Sequence, residues 1–295
     1  MPFSFNINVH ICALIHLNRN NIQEKDLIKM NLITVNEEKC TKCELCIKEC
    51  PLDVLKMGEN GPVEIENTNC SACGHCVAIC PNAAIDNKRT PLAGQIELKD
   101  FPKLTEQQSE YFLRSRRSIR NYKAESVSRD KLTKLIDIAR LAPTASNSQG
   151  ISFVVVENRQ LLEQALEITI QMIENSPLRS LVEEAIKSYR EDGYDSIFRG
   201  APNLIIATYG NDFPNGRDNA VSCLTYLELH APSLGLGSCW AGIFEHCIAI
   251  ENSPLLKLFN IPQDKKVVGA VMVGYPKYSY KRLVDRKPLN ATFIE

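Results

Sequence analysis

One tryptophan and no long apolar run set the first limits on this 295-residue sequence. No stretch reaches the roughly 20 consecutive apolar residues that span a bilayer, so a membrane-crossing helix is not expected. An excess of charge of either sign is also missing. The 34 Lys and Arg against 35 Asp and Glu leave a formal charge of −1, which offers nucleic acid or an anionic membrane no field to bind. The apolar stretch from Phe3 to Leu17 is broken by Asn6, Asn8, His10 and His16. It has no basic leading segment and no clear small-residue cleavage site, which argues against a secretory signal. A cytoplasmic protein is therefore expected, in a compartment where thiols stay reduced and available to metal. Met30 opens a run, Asn31-Leu32-Ile33-Thr34-Val35, that leads straight into the region discussed next. Residues 1–31 are expected to be a poorly ordered extension, with 1–29 alternatively upstream sequence added by a misplaced start codon.

Cysteine is abundant. Of 12 cysteines, eight fall between Cys40 and Cys80, and Cys12, Cys223, Cys239 and Cys247 are scattered. A disulfide framework belongs to small secreted domains, which this chain does not resemble. The clustered eight form an internal repeat. Cys40-Thr-Lys-Cys43-Glu-Leu-Cys46-Ile-Lys-Glu-Cys50-Pro51 is matched 30 residues later by Cys70-Ser-Ala-Cys73-Gly-His-Cys76-Val-Ala-Ile-Cys80-Pro81. Soft thiolates at two-residue spacings wrap a cubane iron–sulfur cluster, and in such tandem runs the fourth cysteine serves the other cluster. The spacing thus predicts two [4Fe–4S] clusters, one on Cys40, Cys43, Cys46 and Cys80, the other on Cys70, Cys73, Cys76 and Cys50. Zinc also takes four cysteines, but two zinc sites would need neither the crossing ligand, nor the following proline, nor the near-perfect repeat. His75 finds no vacancy as a ligand and is expected to face solvent. Over residues 32–88 the chain resembles bacterial two-cluster ferredoxins.

Short strands are expected at Ile33–Val35 and Ala83–Ile85, with a hairpin joining Val54–Met57 to Val63–Ile65 through Gly58-Glu-Asn60-Gly61-Pro62. From Asp86 to about Lys103 the chain is polar and punctuated by Pro91, Gly94 and Pro102. This reads as a linker, placed between domains at 89–105. The pattern beyond it alternates helices with strands. A helix starting after Ser128 presents Leu132, Leu135, Ile136 and Ala139 on one face. Phe153–Val156, Leu204–Thr208 and Val267–Val273 suit a buried sheet. Helices are expected over Leu161–Glu174, Leu181–Glu191 and Asp218–His230, the last ended or kinked by Pro232.

Three stretches of this second domain carry chemistry. Arg114-Ser-Arg116-Arg117-Ser118-Ile119-Arg120 sets forked guanidiniums beside a hydroxyl, a set suited to phosphate; a solvated basic helix end is the plain alternative. Ala142-Pro143-Thr144-Ala145-Ser146-Asn147-Ser148-Gln149 can bring backbone and amides against a flat heterocycle, or form an ordinary turn. Leu234-Gly235-Leu236-Gly237-Ser238-Cys239-Trp240-Ala241-Gly242 allows close backbone approach. It is not a dinucleotide fingerprint, because the third glycine would fall on Trp240.

In this order, and with Arg199-Gly200-Ala201-Pro202 and Val273-Gly274-Tyr275-Pro276, these stretches resemble the nitroreductase family of FMN-dependent oxidoreductases over residues 106–295. The fold implied is α+β: a ferredoxin-like module followed by a nitroreductase-like α/β (α+β) FMN domain. By resemblance Arg116, Arg117, Ser118 and Arg120 hold the FMN phosphate and ribityl chain. Pro143, Thr144, Ala145 and Asn147 line the isoalloxazine with Gln149 nearby. Trp240, Ala241 and Gly242 bring backbone amide near the reactive flavin nitrogen, and Arg286, chosen over Lys281, completes the phosphate site. Gln149-Gly150-Ile151 departs from the Gln-Pro-Trp of many members, and Pro232 is atypical of the single-domain ones. The family is dimeric with FMN at the interface, implying a homodimer.

The resemblance implies an enzyme that takes electrons from its clusters, from NAD(P)H or from a ferredoxin-type donor. It would pass them through FMN to a nitroaromatic, quinone or similar small acceptor. A protein that only transfers electrons or senses redox state is the alternative. No side chain is assigned as catalytic, since the cofactor supplies the chemistry. Cys223, Cys239 and Cys247 read as small core residues, and His230 and His246 as packed or solvated ones.

Overall fold

A computed structural model describes residues 32–99 and 101–295; the expectations for residues 1–31 and for Cys12 lie outside the described residues. The chain forms two compact units. One comprises the described residues up to Pro102 together with Ser146–Ser148, the other Lys103–Ala145 and Gln149–Glu295.

In the first unit the sequence repeat becomes a structural one. Left-handed backbone recurs at Lys42 and Ala72, Glu44 and Gly74, and Asp53 and Ala83, each pair 30 residues apart. A one-turn helix carries the third cysteine of each run, α1 (Leu45–Lys48) and α2 (His75–Ala78). Strand β1 (Ile33–Val35) pairs antiparallel with β4 (Ile85–Asn87), while β2 (Leu55–Met57) pairs antiparallel with β3 (Pro62–Glu64). The strand after the second copy thus begins at Ile85 rather than Ala83. The turn at Ala83, with φ 47°, occupies the expected start, and Asp86 and Asn87 leave the expected linker to join the ladder. The apolar core is small, consisting of Ile33, Val54, Leu55 and Ile85 with Val35 and several cysteines against it.

The second unit opens with α3 (Glu106–Ser115), where Thr105 and Gln108 form a reciprocal capping box,. Helix α4 (Arg129–Ala139) follows Ser128, whose side chain makes no capping bond, and buries Leu132, Leu135 and Ala139 as the periodicity requires. The sheet holds β5 (Ile151–Val156), β6 (Asn203–Gly210), β7 (Gly237–Trp240) and β8 (Lys265–Gly274) in the order β5-β6-β8-β7, with every neighbour antiparallel. The α+β class therefore holds.

The central strands are apolar on both faces because both are covered. Leu204, Ile206, Ala270 and Met272 meet the layer of α5 (Arg159–Glu174), α8 (Gly242–Ile248) and α9 (Pro254–Leu258). Ile205, Ala207, Val271 and Val273 meet α4 and α7 (Gly216–His230) on the other face.

Two differences from expectation are local. The helix expected over Leu181–Glu191 is α6 (Glu183–Asp192), starting two residues later because Leu181 closes a preceding 3-10 turn, Pro177–Leu181. Pro232 does end α7, and the chain continues through a 3-10 turn, Ala231–Leu234,. Among the described residues no helix is long and apolar enough to cross a membrane.

Candidate functional site

The eight clustered thiols surround two cavities in the first unit. Cys50, Cys70, Cys73 and Cys76 line one; Cys40, Cys43, Cys46 and Cys80 line the other. Each cavity thus takes three thiols from one run and one from the other. Among the described residues no three His, Cys, Asp or Glu side chains converge closely enough to hold a single metal ion; the thiols instead ring an open space. Backbone amides point at them: Ala72 N–H donates to Cys70 Sγ at 3.3 Å and Ala84 N–H to Cys80 Sγ at 3.2 Å. Burial, followed by the nearby thiols, pushes Cys46 above its ordinary range. Burial does the same at Cys76 against a hydrogen bond from Asn87. Uncharged thiols would need no such amides, whereas thiolates bound to iron would use them. His75 lines the first cavity at an exposed position.

In the second unit the basic stretch leaves α3 in extended form and runs parallel to the start of β7. Ser118 bridges Ser238, and Ile119 N–H donates to the Ser238 carbonyl at 2.8 Å. This close approach requires Gly237, since a Cβ there would sit 2.4 Å from Ile119 Cγ1. Gly237→Ala is expected to cost about 1–3 kcal/mol, as other overpacked sites do, read as a lower denaturant midpoint.

Arg116 and Arg117, with Lys123 and Lys277 beside them, line a cleft of about 470 Å³. Ser115, Ser238 and Ser279 add hydroxyls, and Arg117 lies over the Tyr280 ring, 5.2 Å from its centroid. One acid enters this basic site. Glu228 of α7 approaches Arg116 to 3.6 Å and accepts from the Ser238 hydroxyl at 3.2 Å. Burial raises its carboxyl above the ordinary range, with Arg116 and then Ser238 pulling the other way.

Not every expected residue joins this cleft. Ser118 turns its hydroxyl to the Cys239 thiol, and Arg120 is exposed with its charge also felt at Cys239. Neither Arg286 nor Lys281 is among the lining residues, while Lys277, two residues beyond Tyr275, is. Its place directly after Gly274-Tyr275-Pro276 was the available signal. Lys123 and Glu228 carried none, sitting on unremarkable polar positions.

The amide-rich loop is held elsewhere. Asn219 in the first turn of α7 accepts from Ala145 N–H at 2.9 Å, and Gln149 N–H donates to Thr144 Oγ1 at 3.1 Å. Asn219 and Glu228 are nine residues apart on one helix, or roughly 13.5 Å at 1.5 Å per residue, so loop and basic cleft are anchored near opposite ends of α7. Pro143 is exposed beside them. Asn147, within the first unit, donates to the Ser71 and Ala72 carbonyls at 3.0 and 2.9 Å. Ser146, Asn147 and Gln149 all adopt left-handed φ between 52° and 55°, a strained run of the kind found at binding loops. Gly150, where the sequence departs from Gln-Pro-Trp, lies under Phe213, whose Cζ would be 2.5 Å from an added Cβ.

At the end of β7, Trp240 Nε1 donates to Glu245, which also accepts from Arg217 at 3.3 Å. Ala241 N–H is engaged by the Ala270 carbonyl at 2.7 Å. Gly242, the first residue of α8, therefore carries the first amide of this stretch without a strand or helix acceptor. Cys223, Cys239 and Cys247 are buried, and burial raises each thiol, that of Cys247 to about 11. Such thiols pack rather than react. His246 is exposed, and the His230 ring lies 3.1 Å from Ser233 Oγ.

Comparison with known proteins agrees with this division. Residues 113–275 match the nitroreductase family and residues 32–81 the 4Fe-4S dicluster domain. The chain belongs to the nitroreductase family and is an oxidoreductase of that class, with a 4Fe–4S ferredoxin domain ahead of it. A protein of Methanothermobacter thermautotrophicus, provisionally named NADH dehydrogenase/NAD(P)H nitroreductase, is 27% identical over 166 residues, covering 56% of this chain and 75% of its own. The 4-nitrobenzoate reductase of Pseudomonas putida is 38% identical over 79 residues, 26% of this chain and 35% of its own. A nitroreductase with bound FMN from Desulfitobacterium hafniense shares the fold with a TM-score of 0.54 at 20% identity, covering 65% of this chain and all of its own.

Proposed function

We propose that this FMN-dependent oxidoreductase carries two [4Fe–4S] clusters and reduces a small organic acceptor such as a nitroaromatic or a quinone. One cluster is assigned to Cys40, Cys43, Cys46 and Cys80, the other to Cys50, Cys70, Cys73 and Cys76. The observation that carries the reading is the joining, in one chain, of two four-thiol cavities and a cationic cleft beside a nitroreductase-family sheet. The donor set suits the groups named: soft thiolates ring the cavities, and forked cations with hydroxyls line the cleft as a phosphate requires. When bound, the clusters supply single electrons and FMN the two-electron chemistry of the acceptor.

The chain's own residues bind and orient. Arg116 and Arg117 grip the phosphate, with Ser118 and Arg120 on the same strand, and Lys277 takes the C-terminal basic position in place of Arg286. Pro143, Thr144, Ala145, Asn147 and Gln149 are assigned to the ring, as is the Trp240–Gly242 stretch, whose geometry Glu245 fixes through the indole. The electron donor is assigned as NAD(P)H or a reduced ferredoxin-type protein, and the working form as a homodimer in the cytoplasm. The names of the two relatives support both the donor and the acceptor class.

An anaerobic absorbance titration with NADH, NADPH and then dithionite tests this. Cluster and flavin bands should bleach, and a nitroaromatic should reoxidise the flavin rapidly and stoichiometrically. Bleaching without reoxidation by any nitroaromatic or quinone would leave an electron-transfer protein instead of an enzyme.

A pH dependence follows from Glu228. Its folded pKa is raised, so it is neutral below that raised value and becomes a carboxylate as pH climbs through it. The charged form holds Arg116 and repels the phosphate. FMN affinity should therefore weaken as pH rises through that range, above the ordinary carboxylate values. In Glu228→Gln only the phosphate's own titration near pH ~6 should remain. Dissociation constants measured by flavin fluorescence across pH 5–9 check this.

A further inference from the structure

The two thiol cavities are related by the 30-residue repeat, which allows them to be compared position by position. The left-handed residues, the one-turn helices and the strands β2 and β4 all correspond. Glu44 and Gly74, Leu45 and His75, and Leu52 and Asn82 differ in side chain, but there the polar member is exposed; at one lining position the polar member is buried. Asn87 closes β4 and lines the cavity of Cys50, Cys70, Cys73 and Cys76; its counterpart Met57 closes β2 and lines the other. We propose that Asn87 splits the potentials of the two clusters, raising that of the cluster on Cys50, Cys70, Cys73 and Cys76 so that a single electron settles there. The inference rests on the cluster assignment above.

The orientation of the Asn87 amide is fixed by its surroundings. Oδ1 accepts from Arg89 N–H at 2.9 Å, which turns the NH₂ group toward the thiols,. Nδ2 lies 3.9 Å from Cys70 Sγ, and the amide also hydrogen-bonds the Cys76 thiol. The residue is 1% exposed, so water does not compete for it. Methionine at the equivalent place is a weak acceptor and donates nothing. Reduction adds one negative charge, spread over the cluster and its sulfurs, and an N–H donor aimed at those sulfurs favours the more negative state.

The exposed ionisable side chains near the cavities are screened by solvent and salt: Lys39, Lys42 and Glu44 at the Met57 cavity, and Arg89 and His75 at the Asn87 cavity,. The Arg89 guanidinium donates to the Cys70 carbonyl at 3.0 Å. Arg89 and His75 are unchanged in the Asn87 variants. Glu64 lines the Asn87 cavity with its Oε1 accepting from Ile33 N–H at 2.7 Å. Its negative charge opposes the amide, and it is present equally in wild type and in Asn87 variants. Electron transfer between the clusters is a single-electron exchange: one goes from the 1+ to the 2+ core as the other goes from 2+ to 1+, with no proton moved.

The test is an anaerobic dithionite titration of the whole protein, followed by low-temperature EPR, for wild type, Asn87→Met and Met57→Asn. Wild type should reduce in two resolved steps. Asn87→Met should lower the upper step by the equivalent of about a tenfold redistribution of one electron, roughly 59 mV, with the lower step unmoved. Met57→Asn should raise the lower step and close the gap; it leaves Asn87 and its bond to Arg89 intact, so it decides the matter even if Asn87→Met does not assemble. Unmoved potentials in variants holding the full iron and sulfide, roughly eight of each, would overturn the role of Asn87 alone. Wild type without iron and sulfide would instead overturn the cluster assignment, and this inference with it.

Discussion

Arg116→Ala is expected to emerge from purification without flavin and to bind added FMN about 100-fold more weakly. Arg116 is the cleft residue best held in place, its side chain 26% exposed and facing the 14%-exposed Glu228 at 3.6 Å. A hydrogen bond to a charged group contributes about 1.5–3 kcal/mol, and at about 1.4 kcal/mol per tenfold the loss of one fork reaches that factor. Removing the guanidinium also leaves Glu228 buried without its cation, so part of the effect is a less ordered cleft. Arg116→Lys separates the contributions. The charge remains but the planar fork does not, and an intermediate affinity is expected. Flavin-to-protein ratio and a direct dissociation constant are the measurements. Wild-type FMN binding in Arg116→Ala would remove Arg116 from the phosphate grip.

Cys73→Ala should lose about half of the iron and sulfide, or all of it if the first unit collapses. Collapse is the expected outcome at physiological temperature. Among the described residues the unit's buried apolar cluster is Ile33, Val54, Leu55 and Ile85, with Val77 and Ala84 also buried, and domains this small usually need metal or disulfides as staples. The basic cleft belongs entirely to the second unit, so FMN should stay bound through its phosphate, more weakly because Asn147 loses its Ser71 and Ala72 partners, while turnover driven by a ferredoxin-type donor falls below detection. Turnover unchanged in a protein lacking clusters would refute the internal electron path. Scanning calorimetry should show the low-temperature transition shift and the high-temperature one remain.

Much of this arrangement could be read before any coordinates. Thiol spacing is a short-range property, and the repeat left little freedom in how eight cysteines group; Cys50 and Cys80 line opposite cavities, which supports the cluster assignment proposed. Strands such as Leu204–Thr208 were legible because both faces are buried, which leaves an unbroken apolar run. What could not be read depends on distant partners. β7 looked like a glycine-rich loop, because Gly237 is there to admit Ile119, more than 100 residues earlier in the chain. Asn87 looked like linker, since its burial comes from pairing with Ile33. Glu228 lies in the expected Asp218–His230 helix with no signal of its own, and its partners, Arg116 and Ser238, come from outside that helix. Lys277 and Arg286 differ in the same way: Lys277 lines the cleft and Arg286 does not, which supports the exchange proposed at the phosphate.

The crossing of Cys50 and Cys80 also has a consequence for biosynthesis. Each ring of four thiols draws from both runs, so neither can close while only the first has left the ribosome. The ring containing Cys50 waits for Cys76, and the one containing Cys43 waits for Cys80. Until then the leading cysteines present three thiols and an open side, available to a scaffold that delivers iron and sulfide, or to oxidation if none comes. On the proposed cluster assignment, completion of both rings is thereby delayed until Cys80 has been made.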